Sequence, residues 1–362
     1  MKKGIKAILA VLLVLIIGAG SFVLYKNTQG ISYDLSSVEK MQNSVEIIAE
    51  DADSVTIRKN GDGDFKVLMF TDTHLNGKKQ TDNMTVSYIV KNITAQQPDL
   101  VVFGGDNVSS GFNKKRNEEF AQLMENLGVY WAAVLGNHEE DGLMAVSREE
   151  NVQIFSSYEY CLMRNGKDDV DGNGNYTINI LNADNTLKEV FFFMDSGSYM
   201  TEESKAEYGV TQDGEVYDGV KISQVNWYNE KHASLTAQYG DFKSVLVVHI
   251  PPYQAEQDYA ENDFLYGAKR EGVCESGFDA GLVDAVIEKG SAQAVYFGHD
   301  HVNDFGVMYE NILLSYIQPS GYGVYNMQSK FGSPENEWIQ GCTLLTIAAD
   351  GTYTAEQIFN HQ

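Results

Sequence analysis

The chain has 362 residues with 26 Lys and Arg against 51 Asp and Glu, a formal charge of −25, and is long enough to bury a full core as one large domain or two small ones. At 43% hydrophobic and 21% charged, with 17 Phe and 21 Tyr, it is too rich in core-forming side chains for a disordered chain and too polar for a multi-span membrane protein. The acidity argues against duplex nucleic acid as a partner, because that binding rests on Lys/Arg clusters that release counterions. Any anionic substrate would need a local positive centre.

In chain order, the first feature is apolar. Lys2, Lys3 and Lys6 precede residues 7–25, an uncharged run, and Lys26 follows. The run is long enough for one membrane-spanning helix. It reads equally as a cleaved signal peptide, with an apolar core over 7–17 and a cleavage region in Gly18, Ala19, Gly20 and Ser21. The basic start favours an N-terminus inside and a body outside the cytoplasm under both readings. An extracytoplasmic protein is expected, tethered by residues 1–26 or secreted, meeting the membrane only through that segment. Residues 27–64 are polar and predict a linker with a leading hairpin, its arms at 45–48 and 55–57 and a turn at 60–63. One domain is expected over 65–362.

From Phe65 onward short apolar runs alternate with helical patterns. Residues 66–70, 100–103, 131–135, 190–194, 245–248 and 292–297 predict buried strands, being short, β-branched or aromatic, and bounded by Asp, Gly or Asn. Between them, 84–94, 118–127, 223–238 and 279–288 predict amphipathic helices, with Trp227 and Tyr228 on a core-facing stripe. The last third turns to strands at 312–317, 342–348 and 352–359, the final pair joined at Asp350-Gly351, a hairpin signal. The pattern is an α/β layered domain with β-rich C-terminal strands.

Polar residues follow these strands in a regular way. Asp72 and His74 follow the first (KVLMF-TDTH), Asp106 the second (LVVFG-GDN), and Asn137, His138 and Glu139 the third (WAAVL-GNHE); His249 closes VLVVH, and His299, Asp300 and His301 follow AVYF. Five times a metal-capable side chain stands at the carboxyl end of a buried strand, the edge where open α/β sheets place ligands. The set uses five of the seven histidines. Imidazole and carboxylate suit Mn, Fe or Zn. Two such ions clamp an ester phosphate and lower the pKa of a bound water, providing the missing positive centre.

The ordered motifs DTH, GDN, GNHE, H and GHDH resemble the calcineurin-like metallophosphoesterase superfamily. HIPP at 249–252 and GHDHVNDF at 298–305 look like the branch allied to the purple acid phosphatases. The resemblance covers residues 65–325 and implies a four-layer αββα sandwich that binds two divalent metal ions. By position it implies that Asp72, His74 and His301 hold one ion, that Asn137, His249 and His299 hold the other, and that Asp106 bridges them. His138 would act as a general acid or phosphate-oxygen donor. The implied reaction is in-line attack by a metal-bound hydroxide on a small phosphate ester. A phosphomonoesterase is expected; the alternatives are a phosphodiesterase acting on nucleotides, cyclic nucleotides or lipid head groups, and a surface binding protein on a catalytically retired version of the fold. In many relatives an Asp three residues after the bridging Asp orients the catalytic His, and in purple acid phosphatases a Tyr there binds ferric iron. Here the position is Ser109, which implies a colourless enzyme and leaves the partner of His138 to Glu139 or an acid from elsewhere.

Other candidates have simpler expectations. Asp169, Asp171, Asn173 and Gly174 match the first half of a calcium loop, but the twelfth position is Ile180 rather than Glu, so a polar turn is expected. His232 and His361 read as surface histidines. Cys161, Cys274 and Cys342 are widely spaced without a CxxC pair and read as small buried hydrophobes. Asp195-Ser196-Gly197 ends a strand as the metal motifs do and reads first as a turn. Tyr253, Tyr322 and Tyr325 are substrate-pocket candidates, and 202–219 an irregular acidic insertion beside the site or in solvent.

Overall fold

The computed structural model describes residues 38–61, 63–257, 259–260 and 263–360, together with Gly18, Ile31, Tyr33 and Asp34. The apolar run 7–25 lies outside the described residues apart from Gly18. Among those described, no helix is long and apolar enough to cross a membrane.

The chain opens with the antiparallel pair β1 (Val45–Glu50) and β2 (Ser54–Lys59). Two βαβ units follow: β3 (Phe65–Phe70), α1 (Lys79–Gln96), β4 (Leu100–Phe103), α2 (Asn113–Leu127) and β5 (Trp131–Ala133), with all three strands parallel. Next come α3 (Arg148–Ser156), β6 (Tyr176–Leu181), β7 (Leu187–Phe193), α4 (Glu202–Tyr208), α5 (Ile222–Tyr239) and β8 (Ser244–Val247). The chain finishes with β9 (Phe264–Tyr266), α6 (Leu282–Lys289), β10 (Ala292–Phe297), β11 (Gly306–Tyr309), β12 (Ile312–Tyr316), α7 (Met327–Phe331), β13 (Gly341–Ile347) and β14 (Tyr353–Phe359). The strands form two sheets, one ordered β14-β13-β3-β4-β5 and one ordered β1-β2-β6-β7-β8-β10-β12-β11-β9.

Side-chain alternation explains the layering. On β7, Phe191 and Phe193 join a core with Tyr176, Val245, Tyr296 and the strands of the smaller sheet. Val190 and Phe192 point the other way, onto Trp227 and Tyr228 of α5 and Val286 of α6. A strand buried on both faces reads as a continuous apolar run, which is why VFFFM was legible as a strand. On the smaller sheet Phe70 and Phe103 meet Tyr88 of α1 and Phe120 of α2. The product is a mixed α/β sandwich of two sheets with helices packed outside each. Truncating a ring such as Phe192 to Ala would cost about 3–5 kcal/mol.

The structure shifts several sequence-based boundaries. The leading hairpin is present, but β2 pairs in parallel with β6, Ser54 opposite Thr177 through Arg58 opposite Leu181. It is built into the larger sheet, and the boundary expected near Phe65 falls between two strands of one folded body. Helix α1 starts five residues earlier than the apolar stripe, because its first turn, Lys79 to Asp82, is polar and carries no apolar periodicity. Strand β5 ends at Ala133, short of Leu135, where the chain turns toward the GNHE loop. Helix α6 begins at Leu282, not 279, because Asp279 Oδ1 accepts from the Gly281 N–H in a preceding turn. The insertion 202–219 is not irregular throughout, since Thr201 caps the short helix α4.

Candidate metal centre

Strands β3, β4, β5, β8 and β10 all end at one edge, and each delivers part of one buried cluster. Asp72, His74, Asp106, Asn137, His249, His299 and His301 are all buried. Four of them, Asp72, His74, Asp106 and His299, sit at positive φ (54°, 44°, 50° and 81°), a conformation non-glycine residues hold only when their surroundings impose it. The surroundings are explicit: Asp72 N–H donates to Gly105 O (3.0 Å), His74 N–H to Asp106 O (2.9 Å), and His299 N–H to Asp72 Oδ2 (3.0 Å). Gly105 is required by contact as well as by its φ of 100°, since a Cβ there would lie 2.4 Å from His249 Nδ1.

Two groups result, sharing one residue. Asp72, His74, Asp106 and His301 bring one donor atom each together, and Asp106, His249 and His299 do the same beside them. Asp106 Oδ2 lies 3.3 Å from both His74 Nε2 and His249 Nε2. Asp72 Oδ1 is 3.4 Å from His301 Nε2, and Asn137 Oδ1 is 3.1 Å from His249 Nε2. His249 Nδ1 faces Gly104 O at 2.8 Å, which orients the ring. Asp72 Oδ1, Asp106 Oδ2 and His299 Nε2 are buried without a hydrogen-bond partner. Unpaired buried acceptors of this kind are what a bound cation satisfies. The donor set of imidazole nitrogens and carboxylate oxygens fits Mn, Fe or Zn.

The electrostatics agree. Burial opposes ionisation of Asp72 and Asp106, yet the surrounding imidazoles hold both carboxyls well below the usual range. Burial would lower His74 and His249, but Asp106 overrides it and raises them to about 10 and about 9. His299 falls to about 3 through burial and the neighbouring His249. The carboxylates thus draw positive charge into a sealed pocket.

His138 stands beside this cluster, its ring centroid 5.4 Å from that of His74. Its backbone N–H donates to Asp106 Oδ1 (2.9 Å), and its Nδ1 meets the carboxylate of Asp141. Asp141 is the partner that sequence reasoning left open. Glu139 does not take that role: its carboxylate is buried and accepts from the N–H groups of Asn107 (2.6 Å) and Gly136 (2.7 Å). Burial and Asp106 push it up to about 8.

Asp195 is more than a turn residue. Both its oxygens accept from Arg148, which also donates to Gly136 O (2.6 Å) and so braces the GNHE loop. Ser196 Oγ accepts from Ile250 N–H (2.9 Å), and Ser198 Oγ donates to Asn137 O (3.0 Å). Of the tyrosine candidates only Tyr325 reaches the cluster, its ring 4.4 Å from His301 and its hydroxyl donating to Glu271 (2.9 Å). Tyr253 lies in a separate hollow with Val220 and Phe278, and Tyr322 in a groove with Asn83 and Tyr88. Two others were missed. Tyr199 approaches Asn137 Nδ2 (3.5 Å), and Tyr217 lies edge-on to His299 (4.4 Å) and stacks on Tyr199 (5.3 Å). Tyr199 precedes the 202–219 insertion and Tyr217 lies within it, so the insertion borders the centre. The 169–174 segment is a polar turn, with Asp171 accepting from Ser223 Oγ and Asn173 N–H donating to Asp195.

The model of the calcineurin-like phosphoesterase family matches residues 65–303. A protein of Arabidopsis thaliana named probable inactive purple acid phosphatase 14 is 28% identical over 306 residues, 74% of this chain and 73% of its own. Phosphatase DCR2 of Saccharomyces cerevisiae is 25% identical over 283 residues, 70% of this chain and 47% of its own. A solved dimetal phosphatase from Danio rerio shares the fold at a TM-score of 0.50 and 12% identity, over 82% of this chain and 97% of the other.

Proposed function

Because the chain belongs to the calcineurin-like phosphoesterase family, we propose that it is a metal-dependent phosphoester hydrolase acting on small phosphomonoesters outside the cytoplasm. The observation that carries this reading is the pair of three-or-more-donor groups joined through Asp106. In this reading Asp72, His74 and His301 hold one divalent ion, Asn137, His249 and His299 the other, and Asp106 serves both. When bound, the ions supply an activated water and offset the charge that builds on the phosphoryl oxygens.

The chain's own groups do the rest. Asp141 accepts from His138 Nδ1–H, which fixes the ring and leaves Nε2 to give a proton to the leaving oxygen. Arg148 and Asp195 hold the loop that presents Asn137 and His138. Tyr325 on one side and Tyr199 with Tyr217 on the other form aromatic walls for the organic part of an ester. The basic residues ahead of the apolar run 7–25 support an extracytoplasmic body.

A second reading, a binding protein on a retired fold, is favoured by the word inactive in the names of several relatives. One experiment separates these. The full chain is assayed for release of p-nitrophenol from p-nitrophenyl phosphate and from bis-p-nitrophenyl phosphate, with added Mn, Zn or Fe(II) and with EDTA, and its metal content is measured. Faster EDTA-sensitive release from the monoester is expected. Faster release from the diester replaces the substrate class with diesters, and a chain that retains no metal and releases neither is the retired fold.

A further inference from the structure

We propose that Tyr199 is a further catalytic residue, its hydroxyl donating a hydrogen bond to a phosphoryl oxygen held over the cluster; the inference rests on reading the centre as that of a phosphoester hydrolase. A hydroxyl has one hydrogen to donate and two positions at which to accept. The Tyr199 oxygen accepts from Asn137 Nδ2 (3.5 Å), the amide whose other atom, Oδ1, faces His249 Nε2 (3.1 Å). The hydrogen of Tyr199 meets no acceptor among the described residues. With the side chain half-buried, that hydrogen is left for a group arriving from solvent.

The hydroxyl is held in place by a hairpin with a core of its own. Tyr199 stands opposite Tyr217 in an antiparallel bridge, flanked by Met200 N–H to Val216 O (2.9 Å) and Asp218 N–H to Ser198 O (3.1 Å). The two rings stack, and Tyr217 lies edge-on to His299. Behind them Met200, Val216 and Phe278 pack together, with Tyr208 stacked on Phe278 (3.9 Å). Gly277 N–H donates to Tyr217 O (3.0 Å), and a Cβ at Gly277 would lie 2.2 Å from Val216 Cγ1, so this approach requires glycine. The hairpin is also pinned to the loop of Asn137, through the hydrogen bond from Ser198 Oγ to Asn137 O. A donor fixed in this way needs no reorganisation as charge builds on the reacting group, which is the condition for a large effect on rate.

Position separates its task from that of His138. The His138 ring lies beside His74 in one donor group, whereas Tyr199 meets Asn137, which faces His249 of the other. His138 serves the leaving oxygen, which leaves Tyr199 to the oxygens that stay on phosphorus. Arg148 is engaged with Asp195 and the carbonyls before Asn137, and Lys330 with Glu271, while Asp141 and Glu215 bring negative charge toward Tyr199. The offered hydrogen is therefore what draws a phosphoryl oxygen to this side of the cluster. A phenol suits the task because its ordinary pKa of about 10 keeps the hydrogen in place at neutral pH. No bond to Tyr199 forms or breaks.

The test compares the full chain, supplied with Mn, with two variants. Tyr199→Phe keeps the stacked ring and removes the hydroxyl; Tyr208→Phe removes a hydroxyl from the small core of the same insertion, where it accepts from Ile222 N–H (3.2 Å). Turnover of p-nitrophenyl phosphate and of glycerol 2-phosphate, metal content, thermal melting and binding of orthovanadate are measured for each. Tyr199→Phe is expected to lower kcat/KM about 10–100-fold on both esters alike and to weaken orthovanadate binding by a similar factor, because the oxygens it serves are common to all three. Its metal content should match the parent's, and Tyr208→Phe should change neither turnover nor orthovanadate binding. Full turnover by Tyr199→Phe, a loss confined to one ester, or orthovanadate bound equally by parent and variant overturns the donor role. Loss of metal from Tyr199→Phe overturns it as well and makes Tyr199 a brace for Asn137. A parent chain that holds no metal and splits neither ester fails at the hydrolase reading itself, and the donor role falls with it.

Discussion

His138 turns its Nδ1 onto the carboxylate of Asp141, three residues further along the same loop, and both side chains remain partly open to solvent at 33% and 45%. A carboxylate in this position fixes the tautomer and the orientation of the ring. Asp141→Asn is therefore expected to lower turnover about 10–100-fold on alkyl phosphates, whose leaving oxygen needs a proton. On p-nitrophenyl phosphate the loss should be small, and bound metal should be unchanged. Equal losses on both ester types would remove Asp141 from the proton path.

The buried cluster makes a different demand. His249→Ala removes a group 3.3 Å from Asp106, and Asn137→Ala removes an oxygen 3.1 Å from His249. Each should reduce metal content by about one ion per chain and lower turnover by more than about 100-fold, beyond what loss of a supporting partner does. Elemental analysis together with the phosphate-release assay checks this, and full activity in either variant would sink the assignment.

Arg148 ties together parts of the chain far apart in sequence. Its guanidinium meets Asp195, which is fully buried, and two carbonyls of the turn before Asn137. Arg148→Met leaves Asp195 without its counter-charge and should destabilise the fold by about 3–5 kcal/mol. Adding Asp195→Asn should recover a large part of that loss. Denaturant unfolding of the single and double variants gives the coupling directly; strictly additive effects would mean that the pair is not energetically linked.

The strand sequence offers a pH test away from the metal. Glu189 on β7 is buried, one oxygen accepting from Gln293 Nε2 (3.2 Å) and the other without a partner. Burial holds its carboxyl well above the ordinary value of 4.5. The folded state therefore keeps this proton when the unfolded state has lost it, and stability falls as pH rises from the unfolded value toward the folded one. Glu189→Gln should raise Tm by a few degrees more at pH 8 than at pH 4. A Tm difference that does not change with pH would remove Glu189 from the list of titrating groups.

Much of this molecule was legible before folding was known. VFFFM, LVVF and AVYF are uninterrupted because their strands are covered on both faces, and each is followed within three residues by a polar one because the chain there leaves the core. Motif order sufficed to gather seven side chains, since parallel strands bring every C-terminal end to one edge. Asp141, Arg148, Tyr199 and Tyr217 were not legible for the opposite reason. They lie in loops or at a helix start, where no periodicity constrains position, and their partners are 3 to 82 residues away by routes that only the fold defines. The hairpin at 45–59 was read correctly as a hairpin, but nothing in its own sequence names β6 as a neighbour across more than 100 residues.

The position of β13 has a consequence for how the chain is made. It pairs with β3, Thr343 opposite Met69 through Ile347 opposite Phe65, so the strand that carries Asp72 and His74 waits for nearly the whole polypeptide before its second edge is closed. During synthesis the earliest motif stands on an open, apolar strand edge that invites pairing with other chains. A ribosome stalled or a protease cutting just before Gly341 would release a product holding every donor of the two clusters but lacking the strand that closes β3. Such a product would keep that edge of β3 open and would be prone to aggregate even with all seven donors present.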